Sequence, residues 1–113
     1  MEKDYVKEGM YYARDGTPIT SRKEFARLFG NRVYRRVAIT KIDKEATVST
    51  VWLGINHGFS KSKPLIFETM SNEDGEWVEC RRYRTEQEAL AGHNEVVAIV
   101  TARRSGNPVC TKD

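Results

Sequence analysis

Thr85-Glu86-Gln87-Glu88-Ala89-Leu90-Ala91-Gly92-His93-Asn94-Glu95-Val96-Val97-Ala98-Ile99-Val100-Thr101-Ala102-Arg103-Arg104 decides the architecture of this chain. Thr85 and Glu88 form a capping box, in which the threonine hydroxyl accepts from the N–H three residues on while the glutamate reaches back. Ala89, Leu90, Val96, Val97 and Val100 then make an apolar stripe at helical spacing. Arg103 and Arg104 complement the carbonyl end of the dipole, so the helix is expected to end there. Nothing else in the chain has so long a helical pattern, and what precedes it reads as strands.

Working back from Thr85, residues 76–83 read as a strand, 72–75 as a turn and 65–70 as a short apolar strand. Residues 54–64 are loop-like and form the longest irregular internal segment. Residues 47–53 and 33–42 are rich in β-branched side chains and are separated by the charged turn Asp43-Lys44-Glu45, which favours a hairpin; Val33, Val37 and Ile39 share one parity. Ser21-Arg22-Lys23-Glu24 is a second capping box, followed by Phe25, Leu28 and Phe29 on one face of a short helix. Gly30 is expected to stop it in the left-handed conformation. Asp15-Gly16 signals a tight turn between two short arms, with Pro18 confining the second arm to a sheet edge or to no sheet.

Strands in succession without helical crossovers imply an antiparallel sheet, and the long helix is the element able to cover it. The expected fold is α+β: an antiparallel sheet of about four to five strands, with a short N-terminal helix and a long C-terminal helix packed on one face. Residues 1–104 are expected to form one domain and 105–113 a flexible tail.

With 113 residues, the chain has the length of one domain, which buries roughly 65% of its unfolded surface. Its 39% hydrophobic and 31% charged content is that of an ordinary globular protein, and no apolar run nears the ~20 residues of a membrane span. The opening Met1-Glu2-Lys3-Asp4 has no apolar core, so no secretory signal is expected and the cytoplasm is the expected compartment. Cys80 and Cys110 form no CxxC pair and read as two free thiols. A net charge of +3 is too small to compel nucleic-acid binding.

Three residues carry the strongest hint of chemistry. His93 falls on the apolar stripe of the long helix, His57 lies in the 54–64 loop, and Glu68 interrupts an apolar strand. Brought together, two imidazoles and a carboxylate would bind a divalent metal or do acid–base work. No HExxH or HxH spacing supports a metal, none is expected to be bound, and no cofactor motif is present. The competing expectation is a core histidine satisfied by hydrogen bonds, a solvated glutamate and a loop histidine.

Basic residues recur beside aromatics. Arg32, Tyr34, Arg35 and Arg36 lie on one stretch and Arg81, Arg82, Tyr83 and Arg84 on another, so neighbouring strands would present a cationic, aromatic face to phosphates or bases. Gly54, Gly58, Ser60, Lys61, Ser62 and Lys63 supply the ingredients of an anion-binding loop. The GxxxxGK[ST] spacing is missing, and no helix follows. Ion-paired strand faces and a plain connection are the alternatives. Trp52 and Trp77 read as core anchors.

Val51-Trp52-Leu53-Gly54-Ile55-Asn56-His57-Gly58-Phe59, Pro64-Leu65-Ile66-Phe67-Glu68-Thr69-Met70 and Tyr83-Arg84-Thr85-Glu86-Gln87-Glu88-Ala89-Leu90-Ala91-Gly92-His93 together resemble a group of small proteins encoded by bacteriophages and prophages. Tyr11-Tyr12-Ala13-Arg14-Asp15-Gly16-Thr17-Pro18-Ile19 is similar too, so the resemblance spans residues 11–97. In that group the run after the matching Phe-Glu-Thr-Met stays apolar; here it turns polar at Ser71-Asn72, and the strand is expected to end earlier. The resemblance implies an origin and a host-cell cytoplasmic setting, not a reaction. Small phage accessory proteins often bind and block a host component, including CRISPR or other immune machinery. A non-enzymatic protein that binds a host or phage macromolecule is therefore the leading expectation. A metal-dependent or acid–base enzyme and a nucleic-acid- or nucleotide-binding module are the alternatives, and a homodimer is compatible with each.

Overall fold

The four strands and the long helix set the frame for everything else. The computed structural model describes residues 4–58 and 62–106. Strands β3 (Arg36–Asp43), β4 (Ala46–Trp52), β5 (Phe67–Glu73) and β6 (Glu76–Tyr83) form an antiparallel meander in the order β3-β4-β5-β6. Ahead of them, β1 (Tyr11–Tyr12) and β2 (Pro18–Ile19) pair as a separate two-stranded hairpin, followed by α1 (Arg22–Phe29) and the single turn α2 (Arg32–Arg35). Helix α3 (Glu86–Arg104) closes the fold. The chain is α+β, as its pattern implies.

The caps act as their residue types dictate. Ser21 Oγ accepts from Glu24 N at 3.1 Å, and Thr85 Oγ1 accepts from Glu88 N at 3.1 Å. The reciprocal half of each box is diverted: Glu24 pairs with Arg27, and Glu88 accepts from Arg84 N. Asp74 and Gly75, with φ of 55° and 86°, turn β5 into β6, which is the two-residue turn suited to a twisted hairpin. Gly30 departs from expectation. Its φ is −80°, because Asn31 immediately caps α2 by accepting from Val33 N and Tyr34 N.

Helix α3 packs on one face of the sheet through Ala89, Gly92, His93, Val96 and Val100. Two apolar clusters result. Tyr12, Ile19, Leu28, Trp52, Ile66, Phe67 and Ala89 fill one, and Ala46, Val48, Val96 and Val100 the other. Gly92 is part of the contact, since a Cβ there would overlap the Tyr83 ring.

Several local expectations are corrected. Residues 32–35 form a helical turn rather than strand, because the Asn31 cap offers its N–H groups an immediate acceptor. Strand β5 does not stop at Met70. Ser71 and Asn72 continue it, with Ser71 Oγ buried and bonded to Glu73 Oε2 and Glu79 N. Of the 105–113 tail, residues 107–113 lie outside the described residues.

Leu90 is 40% exposed and does not belong to the packed stripe, which runs 89-92-93-96-100 and leaves position 90 about 100° away. Leu90→Ala is accordingly expected to cost less than about 1 kcal/mol in urea melts, where a buried leucine would cost roughly 2–5.

Candidate functional site

Sheet register places the side chains of β3–β6 on two unlike faces. On the covered face, Thr50, Thr69 and Ser71 are fully buried beneath α3. His93 enters this layer from the helix, its Nδ1 at 2.8 Å from Thr50 Oγ1 and its Nε2 at 2.9 Å from Thr40 Oγ1. Thr50 Oγ1 in turn meets Thr69 Oγ1. Hydroxyls can donate or accept, so this chain satisfies both ring nitrogens of a neutral imidazole. Burial pushes the His93 pKa down from its ordinary value.

The three residues of the metal or acid–base alternative are not assembled. His93 is under the helix, whereas Glu68 faces the other side of the sheet, because it pairs across from Val51 and adjoins the inward Phe67 and Thr69. Glu68 Oε2 accepts from Arg82 Nε at 3.1 Å and from Cys80 Sγ at 3.4 Å. Burial, and behind it the Glu68 carboxylate, push the Cys80 thiol up, away from the reactive thiolate. His57 is exposed, with its N–H bonded to Leu65 O. Among the described residues no cluster of three His, Cys, Asp or Glu side chains could hold a metal ion.

The arginines divide in the same way. Strands β3 and β6 are opposite edges of the sheet, so the two basic stretches are not neighbours: Val51 and Glu68 lie between Arg36 and Arg82. Arg81 pairs with Glu79 and Glu95, Arg82 with Glu68 and Arg84 with Glu88. Arg14, Arg27, Arg103 and Arg104 are likewise matched with carboxylates. Arg35 and Arg36 have no carboxylate partner among the described residues, and with Arg32 and Val51 they line a concavity of about 240 Å³. Lys63 is exposed and Lys61 lies outside the described residues, as do Phe59, Ser60 and Cys110. What remains of the 54–64 segment is more ordered than its composition suggests: Asn56 Oδ1 accepts from Gly58 N and Leu65 N.

The uncovered face carries three rows read straight across the strands: Lys41-Thr47-Asn72-Trp77, Ile39-Ser49-Met70-Cys80 and Arg36-Val51-Glu68-Arg82. Trp77 is 65% exposed and Ile39 51%. Trp77 is thus no core anchor, in contrast to Trp52, which is fully buried and donates from Nε1 to Tyr12 O at 2.8 Å. The cause is a bulge: Asn72 pairs with Trp77 but Met70 with Cys80, so one extra residue on β6 switches parity and turns both side chains outward. Strict alternation along the sequence conceals such a switch.

Among the described residues no helix is long and apolar enough to cross a membrane. None of the family models, curated proteins or solved structures compared with the chain matches it.

Proposed function

We propose that the chain is a non-catalytic binding protein whose contact surface is the uncovered face of the β3–β6 sheet. The observation that carries this reading is Trp77, an indole 65% exposed on a sheet face that also presents Ile39 and Met70. Exposed aromatic and aliphatic groups on one surface mark contact sites, and tryptophan is prominent among residues that dominate binding energy. The Glu68–Arg82 pair and Lys41 give the surface a polar border, as protein interfaces have. A protein partner fits such a surface best. The resemblance to phage-encoded proteins supports a host protein as that partner, with CRISPR and other bacterial immune components among the candidates. It supports the host cytoplasm as the setting in the same way.

The test is capture from a bacterial host lysate with wild-type protein and with Trp77→Asp, each with and without nuclease. Because Trp77 is mostly exposed, its replacement is expected to move stability by no more than about 0.5 kcal/mol. The expected result is a defined protein partner that survives nuclease and is lost with Trp77→Asp. Equal capture by the two proteins would remove the sheet face as the contact surface. Capture abolished by nuclease would shift the function to nucleic-acid binding.

A further inference from the structure

Arg32, Arg35 and Arg36 form no salt bridge among the described residues and together line one concavity. Arg32 and Arg35 stand at i and i+3 of the turn α2, and Arg36, the extended residue that ends it and opens β3, lines the same concavity. Like charges at that spacing oppose the turn that carries them. Most other arginines meet carboxylates: Arg81, Arg82, Arg84, Arg103 and Arg104 all have acidic partners. The nearest acid along the sheet row from Arg36, Glu68, is already held by Arg82. The Arg35 guanidinium lies 4.4 Å from the Phe29 ring centroid, and its Nε–H is shielded from solvent without an acceptor. A buried donor left unpaired is a standing cost that an arriving acceptor would remove.

We infer that Arg32, Arg35 and Arg36 form an oxyanion site for a phosphate monoester. A dianionic phosphate relieves the repulsion within the turn and offers three acceptor oxygens to planar, multiply donating groups that bind phosphate well. The concavity of about 240 Å³, with Val51 beside the guanidinium groups, has room for the phosphate and part of what it is attached to. It is small for a drug-sized ligand. Two sources carry this chemistry: a free mononucleotide and the 5′-phosphorylated end of a nucleic-acid strand. The site borders the proposed contact face, because Arg36 and Val51 belong to one of its rows, but it lies at the β3 edge, opposite the β6 edge that carries Trp77, and its occupancy does not depend on that face binding a protein.

The experiment is an NMR titration at constant ionic strength, following the arginine Nε–H signals and the backbone of residues 32–36. The probes are inorganic phosphate, adenosine monophosphate, and one short DNA oligonucleotide bearing either a 5′-phosphate or a 5′-hydroxyl. Saturable shifts are expected with phosphate. Arg32→Gln and Arg36→Gln should each weaken binding about tenfold, the scale of one lost charge-assisted contact. Arg22→Gln, which removes an arginine from α1 that also lacks a carboxylate partner, should leave affinity unchanged. Unaltered melting of the exposed Arg32→Gln and Arg36→Gln variants confirms that affinity, not folding, is being read. Tighter binding of adenosine monophosphate than phosphate identifies a free nucleotide as the source, and preference for the 5′-phosphorylated strand identifies a strand end. Shifts that grow linearly, or an equal loss from Arg22→Gln, would overturn the site. Equal binding of the 5′-hydroxyl strand would overturn the monoester in favour of backbone phosphates.

Discussion

Gly54→Ala is expected to destabilise the protein by about 2–6 kcal/mol, a large share of the ~5–15 kcal/mol that holds a domain together. Two costs add. The residue sits at φ +79°, where any side chain is strained by ~1–3 kcal/mol. A Cβ would also lie 2.6 Å from Phe25 Cε1 and 2.7 Å from Trp52 Cζ2, and neither ring can retreat. Phe25 is stacked on Tyr11 at a centroid distance of 3.9 Å, and Trp52 is fully buried with its N–H fixed on Tyr12 O. Overpacking of this kind costs a further ~1–3 kcal/mol. The loss should fall first on the attachment of the N-terminal hairpin, because Gly54 O accepts from Tyr12 N at 2.9 Å and Ile55 bridges to Tyr11. Fluorescence-detected urea melts in a Trp77→Phe background isolate Trp52 as the reporter. A change within about 0.5 kcal/mol would show that the loop relaxes around the methyl group.

The same glycine shows where the sequence was legible and where it was not. Local signals that depend on near neighbours were plain: both serine and threonine caps, the Asp74-Gly75 and Asp15-Gly16 turns, and the limits of α3 all follow from residues within a few positions of each other. Gly54 announced only a loop, because the reason for it, the close approach of Phe25 from α1, is a contact between distant segments. Trp77 was misassigned to the core because a β-bulge shifts parity without changing composition. Leu90 was misassigned because the packed stripe of α3 includes Gly92 and His93, residues that a count of apolar side chains passes over. The candidate site suffered most. Whether a strand arginine is neutralised depends on cross-strand neighbours, and Arg36 and Arg82 look alike until the register sets Val51 beside the first and Glu68 beside the second. His93 was the exception: helical spacing put it on the buried face, where an imidazole needs hydrogen-bond partners whether or not it also meets His57 and Glu68.

His93→Ala is expected to cost about 2–4 kcal/mol, and the pattern of its variants distinguishes a structural imidazole from a catalytic or metal-binding one. Alanine leaves a cavity between the two apolar clusters and removes the partners of the Thr40 and Thr50 hydroxyls. His93→Leu refills most of the volume but still orphans the hydroxyls, so it should retain a loss of ~1–3 kcal/mol. Thr50 is cushioned because it keeps Thr69 as a partner, whereas Thr40 is not.

Protonation gives a second, independent signature. The groups bonded to the ring, Thr40 from β3 and Thr50 from β4, are hydroxyls, and no carboxylate among the described residues forms a salt bridge with it. Burial therefore depresses the folded-state pKa below the ~6.5 of an unfolded histidine. The unfolded chain takes up a proton first as pH falls, so stability contributed by neutral His93 is whole above about pH 6.5 and declines toward the depressed folded value. The slope cannot exceed about 1.4 kcal/mol per pH unit for one proton. Urea melts between pH 7 and 5 should show this decline in wild type and in His57→Ala, and should lose it in His93→Leu. A wild-type curve flat across that window, or one unchanged by His93→Leu, would mean that the imidazole is not held neutral beneath α3. Stabilisation by added zinc that His57→Ala, Glu68→Ala and His93→Ala each abolish would restore the shared metal site. With Glu68 committed to Arg82 on the far side of the sheet, the expected zinc response is nil in all four proteins.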